Sequence, residues 1–155
     1  MKGVKRFRVY ADTSVFGGCF DADFEAGSRI FFDEVRRGRF AILVSDVTAR
    51  ELAPAPEEVR RVLAELPAEQ IEFVESSAES EALRQAYLEA GVVGPASAND
   101  AAHVALATVV DADMVVSWNF KHIVHFEKIA GYEGVNTLHG YRSPKIYSPR
   151  EVVES

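Results

Sequence analysis

Residues 100–117 read DAAHVALATVVDADMVVS and carry the pattern that decides the fold. The first part, Asp100 to Val110, is apolar on almost every side, as a helix buried in the middle of a protein is. After a short break, Met114 to Ser117 form a β-rich apolar run that is typical of a buried strand. A buried helix next to a buried strand indicates βα units around a mainly parallel sheet.

The same alternation extends outward along the chain in both directions. We predict strands at Arg8–Ala11, Phe40–Val44, Ile71–Val74, Met114–Ser117 and, from a weaker pattern, Val135–Leu138. Apolar residues three and four positions apart predict amphipathic helices at Phe24–Arg37, Glu57–Leu66 and Glu79–Ala90. The sequence therefore predicts an α/β protein in which helices separate the strands.

Length and composition set limits on the class of protein. The 155 residues are 48% hydrophobic and 26% charged, which suits one globular domain over residues 1–155, with 141–155 as a C-terminal arm that packs back. No apolar run approaches the ~20 residues of a membrane span, and we expect no signal peptide. The single cysteine, Cys19, excludes an intrachain disulfide and a Cys-rich zinc site. We therefore expect a cytoplasmic protein.

The charge balance limits the partners. With 17 Lys and Arg against 24 Asp and Glu, the formal net charge is −7, which argues against broad, non-specific adhesion to nucleic acid. Local basic clusters remain at residues 2–8, 36–39 and 60–61, and we interpret them mainly as solvated surface.

Polar side chains follow three of the predicted strands. Asp12, Thr13 and Ser14 come directly after the first strand, Glu51 lies in the helix after the second, and Asn119 follows the fourth. A further carboxylate, Asp100, stands in the first turn of the buried helix. Ligands of open parallel sheets bind where the strands end, so we expect these side chains to lie along one edge.

Three carboxylates at one edge repel one another. Two unit charges ~4 Å apart at an effective dielectric constant of ~20 interact by about 4 kcal/mol. Either a raised pKa or a divalent cation relieves that repulsion, and oxygen ligands favour Mg²⁺ or Mn²⁺. Such an ion would support phosphodiester hydrolysis, as in metal-dependent nucleases. Taken singly, Asp12, Glu51 and Asp100 also fit plain capping or surface roles.

Four segments, VYADTSVF, SDVTARELA, NDAAHVALA and DADMVVSWNFKHI, occur in an order and at a spacing that resemble a PIN domain. The resemblance runs from about Val9 to His122, and the tail SPREVV is similar to the way such chains end. It implies a three-layer α/β/α sandwich and a Mg²⁺- or Mn²⁺-dependent ribonuclease. In prokaryotes such proteins are often the toxin of a toxin–antitoxin pair, as in VapC-like proteins.

The resemblance also implies roles for individual residues. It places the metal ligands at Asp12, Asp100 and Glu51, with Thr13 or Ser14 as a neighbouring hydroxyl. At the fourth position of the catalytic set, where the family usually has an acid, this chain has Asn119. We hypothesise one metal held by Asp12 and Asp100, with Glu51 and Asn119 arranging water around it.

Nearby side chains have auxiliary or competing interpretations. One turn after Asp100, His103 is expected to bond that carboxylate or to be a core histidine that bonds a backbone carbonyl. The pair His122 and His125 has metal-ligand spacing but lacks a third ligand. The aromatic ring of Trp118 is interpreted as a lid on the core, with stacking on an RNA base as the alternative.

Two other function classes stay open at this level. A catalytically weakened PIN module that binds RNA or a protein is one alternative, motivated by Asn119 and by the acidic charge. A phosphatase or a structure-specific DNA nuclease that uses the same acids is the other. The expected partners are RNA, an antitoxin protein and a second copy of the chain. The apolar face of Val59, Val62, Leu63 and Leu66 is interpreted as core, with partner docking as its alternative.

Overall fold

The computed structural model describes residues 6–153, which form an α/β/α sandwich around one sheet. The strands are β1 (Phe7–Ala11), β2 (Phe40–Ser45), β3 (Ile71–Val74), β4 (Met114–Val116) and β5 (Lys145–Tyr147). The helices are α1 (Thr13–Gly18), α2 (Glu25–Arg36), α3 (Asp46–Leu52), α4 (Glu57–Ala64), α5 (Ala78–Glu89), α6 (Ala98–Val109), α7 (Phe126–Leu138) and α8 (Pro149–Val153). All pairings are parallel, in the order β3-β2-β1-β4-β5. The predicted fold class is confirmed.

Strand β1 shows how the sheet builds two cores. Successive side chains of a strand point to opposite faces. Accordingly, Tyr10 packs with α5, α6 and α7 on one face, whereas Val9 and Ala11 pack with α1, α2 and α4 on the other. Both faces of the sheet are covered, so its central strands are apolar without alternation.

The predicted central helix is α6. Eight consecutive residues, Ala101 to Thr108, are buried. Four of them are alanines, and their small side chains let α6 pack closely against its neighbours. The burial inferred from its all-round apolar pattern is confirmed.

The predicted fifth strand is wrong. Val135–Leu138 is the last turn of α7, where Tyr132, Val135 and Asn136 share the buried face at helical spacing. A four-residue apolar run cannot by itself distinguish a strand from a buried helix segment. The fifth strand is Lys145–Tyr147, within the predicted arm, and it pairs with β4.

The apolar face around α4 belongs to the core. Val59, Val62 and Leu66 are buried in the same cluster as β2, and Leu63 packs against it half-buried. The interpretation of this face as core is therefore confirmed.

The strand order creates a crevice above the middle of the sheet. The chain moves outward from β1 to β2 and β3 on one side, and to β4 and β5 on the other. Such a reversal opens a crevice at the carboxyl ends of the two diverging strands, here β1 and β4. Among the helices of residues 6–153, none is long and apolar enough to cross a membrane.

Candidate active site

The centre of the site is Asp12, the residue directly after β1. Its backbone N–H donates to the carbonyl of Val116 at 3.2 Å, so the pairing of β1 with β4 fixes its position. The side chain is only 4% exposed. The hydroxyl of Ser14 donates to Oδ1 at 2.6 Å, and the hydroxyl of Ser117 donates to Oδ2 at 3.0 Å. Both carboxylate oxygens are thus held by hydrogen bonds.

Burial raises the pKa of Asp12 above its ordinary value, because removal from water penalises the charged form. The proximity of Glu51 raises it further, whereas His103 and the two serine hydroxyls act to lower it. Asp12 is therefore a carboxylate whose ionisation the fold disfavours. A nearby cation would reverse that preference.

The second acid, Glu51, is positioned by α3. Ser45 begins this helix as its N-cap, and its hydroxyl accepts from the backbone N–H of Thr48 at 3.2 Å. One turn later, Glu51 Oε1 accepts from the Thr13 hydroxyl at 2.5 Å and lies 2.7 Å from His103 Nε2. Thr13 stands next to Asp12 in sequence, so this bond ties the second acid to the first.

The pKa of Glu51 is shifted the opposite way. Partial burial acts to raise it, but the hydrogen bonds from His103 and Thr13 and the charge interaction with His103 outweigh that effect. The net pKa lies below its ordinary value. Glu51 is therefore ionised at neutral pH, beside two carboxylates that resist ionisation.

His103 differs from both sequence expectations. It is 1% exposed and bonds neither Asp100 nor a backbone carbonyl. Its Nδ1 lies 2.6 Å from the Tyr10 hydroxyl, which lies 2.6 Å from the hydroxyl of Ser45. With a proton on Nε2, His103 donates to Glu51 and accepts from Tyr10, so both ring nitrogens have a partner.

The third acid, Asp100, lies half-buried in the first turn of α6. Burial raises its pKa, and the proximity of Glu51 adds to the increase. His122, His103 and a hydrogen bond from the Asn119 side chain act in the opposite direction. Glu51 therefore lies within electrostatic range of both Asp12 and Asp100.

Asn119 follows β4 and faces Asp100 through its amide group. Its Oδ1 accepts from the backbone N–H groups of Lys121 and His122, at 3.2 and 2.8 Å. The backbone N–H of Asn119 donates to the Ser117 hydroxyl at 2.9 Å. The Asn119 side chain therefore organises the loop and orients Asp100. Farther along, His125 begins α7 as its N-cap.

The arrangement of the carboxylates limits how a metal would bind. Among the described residues, no three His, Cys, Asp or Glu side chains form a group that could hold an ion. Each carboxylate instead accepts hydrogen bonds from its neighbours, but a carboxylate oxygen has two lone pairs and keeps acceptor capacity. The donor set does not fit a closed three-carboxylate cage. Mg²⁺ is also bound in proteins through one or two carboxylates with waters, a mode that needs no such cage.

Sequence reasoning missed Ser117. It is fully buried at the end of β4, where it links Asp12 to the Asn119 loop. A serine at the end of an apolar strand is a usable signal, because a buried hydroxyl needs a partner.

Trp118 is a lid on the core, as its first interpretation stated. It is 5% exposed, and its Nε1 donates to the hydroxyl of Ser28 at 2.8 Å. Phe24 stacks on its ring at a centroid distance of 4.4 Å. The glycines at positions 18 and 27 leave room for this ring, since a Cβ on either would lie within 2.8 Å of it.

The comparison with solved structures agrees with this architecture. One chain of the crystal structure of VapBC2 from Rickettsia felis, bound to a DNA fragment from their promoter, superimposes with a TM-score of 0.59. The match covers 92% of this protein and 98% of that chain, at 14% sequence identity. The fold is PIN-like. No protein-family model and no curated protein sequence matches the chain.

Proposed function

We propose that this protein is a Mg²⁺- or Mn²⁺-dependent endoribonuclease and the toxin of a toxin–antitoxin pair. The observation that carries the proposal is that one carboxylate, Glu51, lies close enough to Asp12 and to Asp100 to raise the pKa of both. The three side chains come from separate segments: Asp12 follows β1, Glu51 lies in α3 and Asp100 lies in α6. The PIN-like fold supports the same activity.

The side chains around the acids suggest a division of labour. Asp12 is immobilised by two hydroxyls, so it would serve as the fixed ligand, and Asp100 would be the second, oriented by Asn119. Glu51, ionised and held by His103, would accept a hydrogen bond from the attacking water and direct it. A bound Mg²⁺ or Mn²⁺ would offset the charge that develops on the phosphodiester.

A cleavage assay with single-stranded RNA tests the proposal. We expect RNA cleavage with Mn²⁺, no cleavage with EDTA, and a loss of about 100-fold or more in Asp12→Asn and Asp100→Asn. The matched control is Asp46→Asn. Asp46 also follows a strand, but it accepts from the backbone and hydroxyl of Ser76 and pairs with Arg50 instead. Equal activity in all three variants would refute the assignment of the site.

The substrate class is tested by offering RNA, single-stranded DNA and a small phosphoester at equal metal concentration. We expect RNA to be cleaved fastest. A strong preference for the small ester would favour a phosphatase, and a preference for DNA would favour a DNA nuclease.

We propose an antitoxin protein as the partner, since the similar fold comes from a VapBC2 complex. Co-expression with the product of the neighbouring reading frame should relieve growth inhibition and yield a co-purifying complex. A homodimer and a cytoplasmic location remain predictions, and gel filtration tests the first.

A second candidate is a catalytically weakened PIN module that binds RNA or a protein. Asn119 favours it, because its amide adds no negative charge where a further acid would strengthen metal binding. Under this alternative, Asn119→Asp would raise a low cleavage rate substantially. If the native chain already cleaves RNA and Asn119→Asp changes the rate little, the existing acids suffice.

A further inference from the structure

An open cavity of about 510 Å³ lies beside the candidate site and shares two residues with it. Ser14, which bonds Asp12, and Asn119, whose side chain acts to lower the pKa of Asp100, both line it. Its volume falls in the range of small-molecule sites, about 300–1,000 Å³. A ligand in this cavity would therefore lie next to the candidate acids.

The remaining wall is largely aromatic and open. Phe24 and Trp118 line the cavity as a stacked pair, and Gly17 lies beside them. A Cβ on Gly17 would meet no atom within 4 Å, so nothing covers this part of the wall. Near the pair, Phe120 is 48% exposed, with its ring centroid 6.3 Å from that of Phe24.

The charge of the lining selects one part of a nucleotide. Of the described residues that line the cavity, none is Lys or Arg, and Asp21 adds a carboxylate. A phosphate is therefore disfavoured here. The carboxylate of Asp21 is an acceptor that suits the N–H and O–H groups of a base and its ribose. Unstacked bases of single-stranded RNA are commonly held on aromatic side chains.

We propose that this cavity binds one nucleobase of single-stranded RNA, next to the phosphodiester at the acids. The inference rests on the proposed function, because it assumes RNA as the substrate. It also replaces the stacking role considered for Trp118. The ring of Trp118 is covered by Phe24, so the base would lie against this aromatic pair at its open edges, with Phe120 at the rim.

The one tryptophan of the chain reports directly on the cavity. In EDTA, which prevents metal-dependent cleavage, a short single-stranded RNA of mixed sequence should change Trp118 fluorescence in a saturable way. Two variants act on the cavity without touching the acids. Gly17→Leu would fill the open wall, and Phe24→Leu would remove a stacking ring while keeping an apolar side chain.

Both variants should weaken RNA binding by about twofold or more, because Gly17→Leu takes up the space of the base and Phe24→Leu removes an aromatic contact with it. The matched control is Phe73→Leu, at a 72% exposed phenylalanine on β3, away from the cavity. This control should bind RNA as the native chain does. Thermal melting would show that each variant is folded.

Binding without cleavage separates this proposal from the proposed function. If RNA changes Trp118 fluorescence and both cavity variants weaken it, the base site stands even when Mn²⁺ supports no cleavage. If RNA is cleaved but both variants bind it as tightly as the native chain, the base site is refuted and the nuclease stands. No fluorescence change with RNA in EDTA would also refute the base site.

Discussion

Two adjacent glycines at the end of α1 should respond in opposite ways to the same substitution. At Gly18, a Cβ would lie 2.6 Å from both Trp118 Nε1 and Ser28 Oγ, the two atoms that hydrogen-bond to each other at 2.8 Å. At Gly17, a Cβ would meet no atom within 4 Å. We therefore expect Gly18→Ala to destabilise the protein and Gly17→Ala to stabilise it.

The magnitudes follow from these surroundings. Overpacking of a well-packed core costs about 1–3 kcal/mol, and a strained hydrogen bond between buried groups has a cost in the same range. Replacing an exposed helical glycine by alanine gains about 0.5–1 kcal/mol. For a chain of this size, 1 kcal/mol shifts the Tm by about 2–4 °C. Gly18→Ala should lower the Tm by about 2–12 °C, and Gly17→Ala should raise it by about 1–4 °C.

Thermal denaturation monitored by circular dichroism measures both Tm shifts. Trp118 fluorescence shows whether the effect of Gly18→Ala arises at the Trp118 ring. Gly18→Ala should alter the emission of the folded protein, since the ring must move, whereas Gly17→Ala should leave it unchanged. Tm shifts of the same sign and size would refute the assigned packing around Trp118. A destabilised Gly18→Ala with native emission would show that the strain is relieved elsewhere.

The acids yield three further predictions. Mn²⁺ should raise the Tm of the native protein, whereas Asp100→Asn should stabilise the metal-free form and reduce the Tm increase caused by Mn²⁺. Thermal denaturation of the native protein and the variant, each with and without Mn²⁺, checks this. A Tm that neither the metal nor the substitution changes would refute a shared site. The raised pKa of Asp12 means that the folded state binds its proton more tightly than the unfolded state, so this group lowers stability as the pH rises from about 4 through the raised pKa. In EDTA, the Tm of Asp12→Asn minus the Tm of the native protein should therefore increase as the pH rises over this range, and a constant difference would contradict the pKa shift. The lowered pKa of Glu51 has the opposite effect on stability, but it is common to both proteins. Asn119→Asp should lower the stability of the metal-free protein, because it places a negative charge near Asp100. It should also tighten Mn²⁺ binding measured by calorimetry, and an unchanged affinity would place Asn119 outside the metal environment.

Several features follow from the sequence because they depend on local pattern. The apolar pattern of α6 predicts a helix, and the short apolar runs of β1, β2, β3 and β4 predict strands. Each pattern shows which surface the element must bury. The order of these elements then places Asp12, Glu51 and Asn119 at one edge, because parallel strands end on the same side of a sheet. The sequence alone could therefore propose these residues as one candidate site.

Other features required the tertiary structure. A three-residue strand such as β5 carries too little pattern to be recognised, and the end of α7 resembles a strand until its buried partners are visible. The pairing of His103 with Glu51 rather than Asp100 joins residues 52 positions apart. The cavity beside the candidate site forms where α1, the segment before α2 and the loop after β4 meet. Local patterns specify which surface an element buries, whereas hydrogen-bond partners and cavities depend on which distant elements that burial brings together.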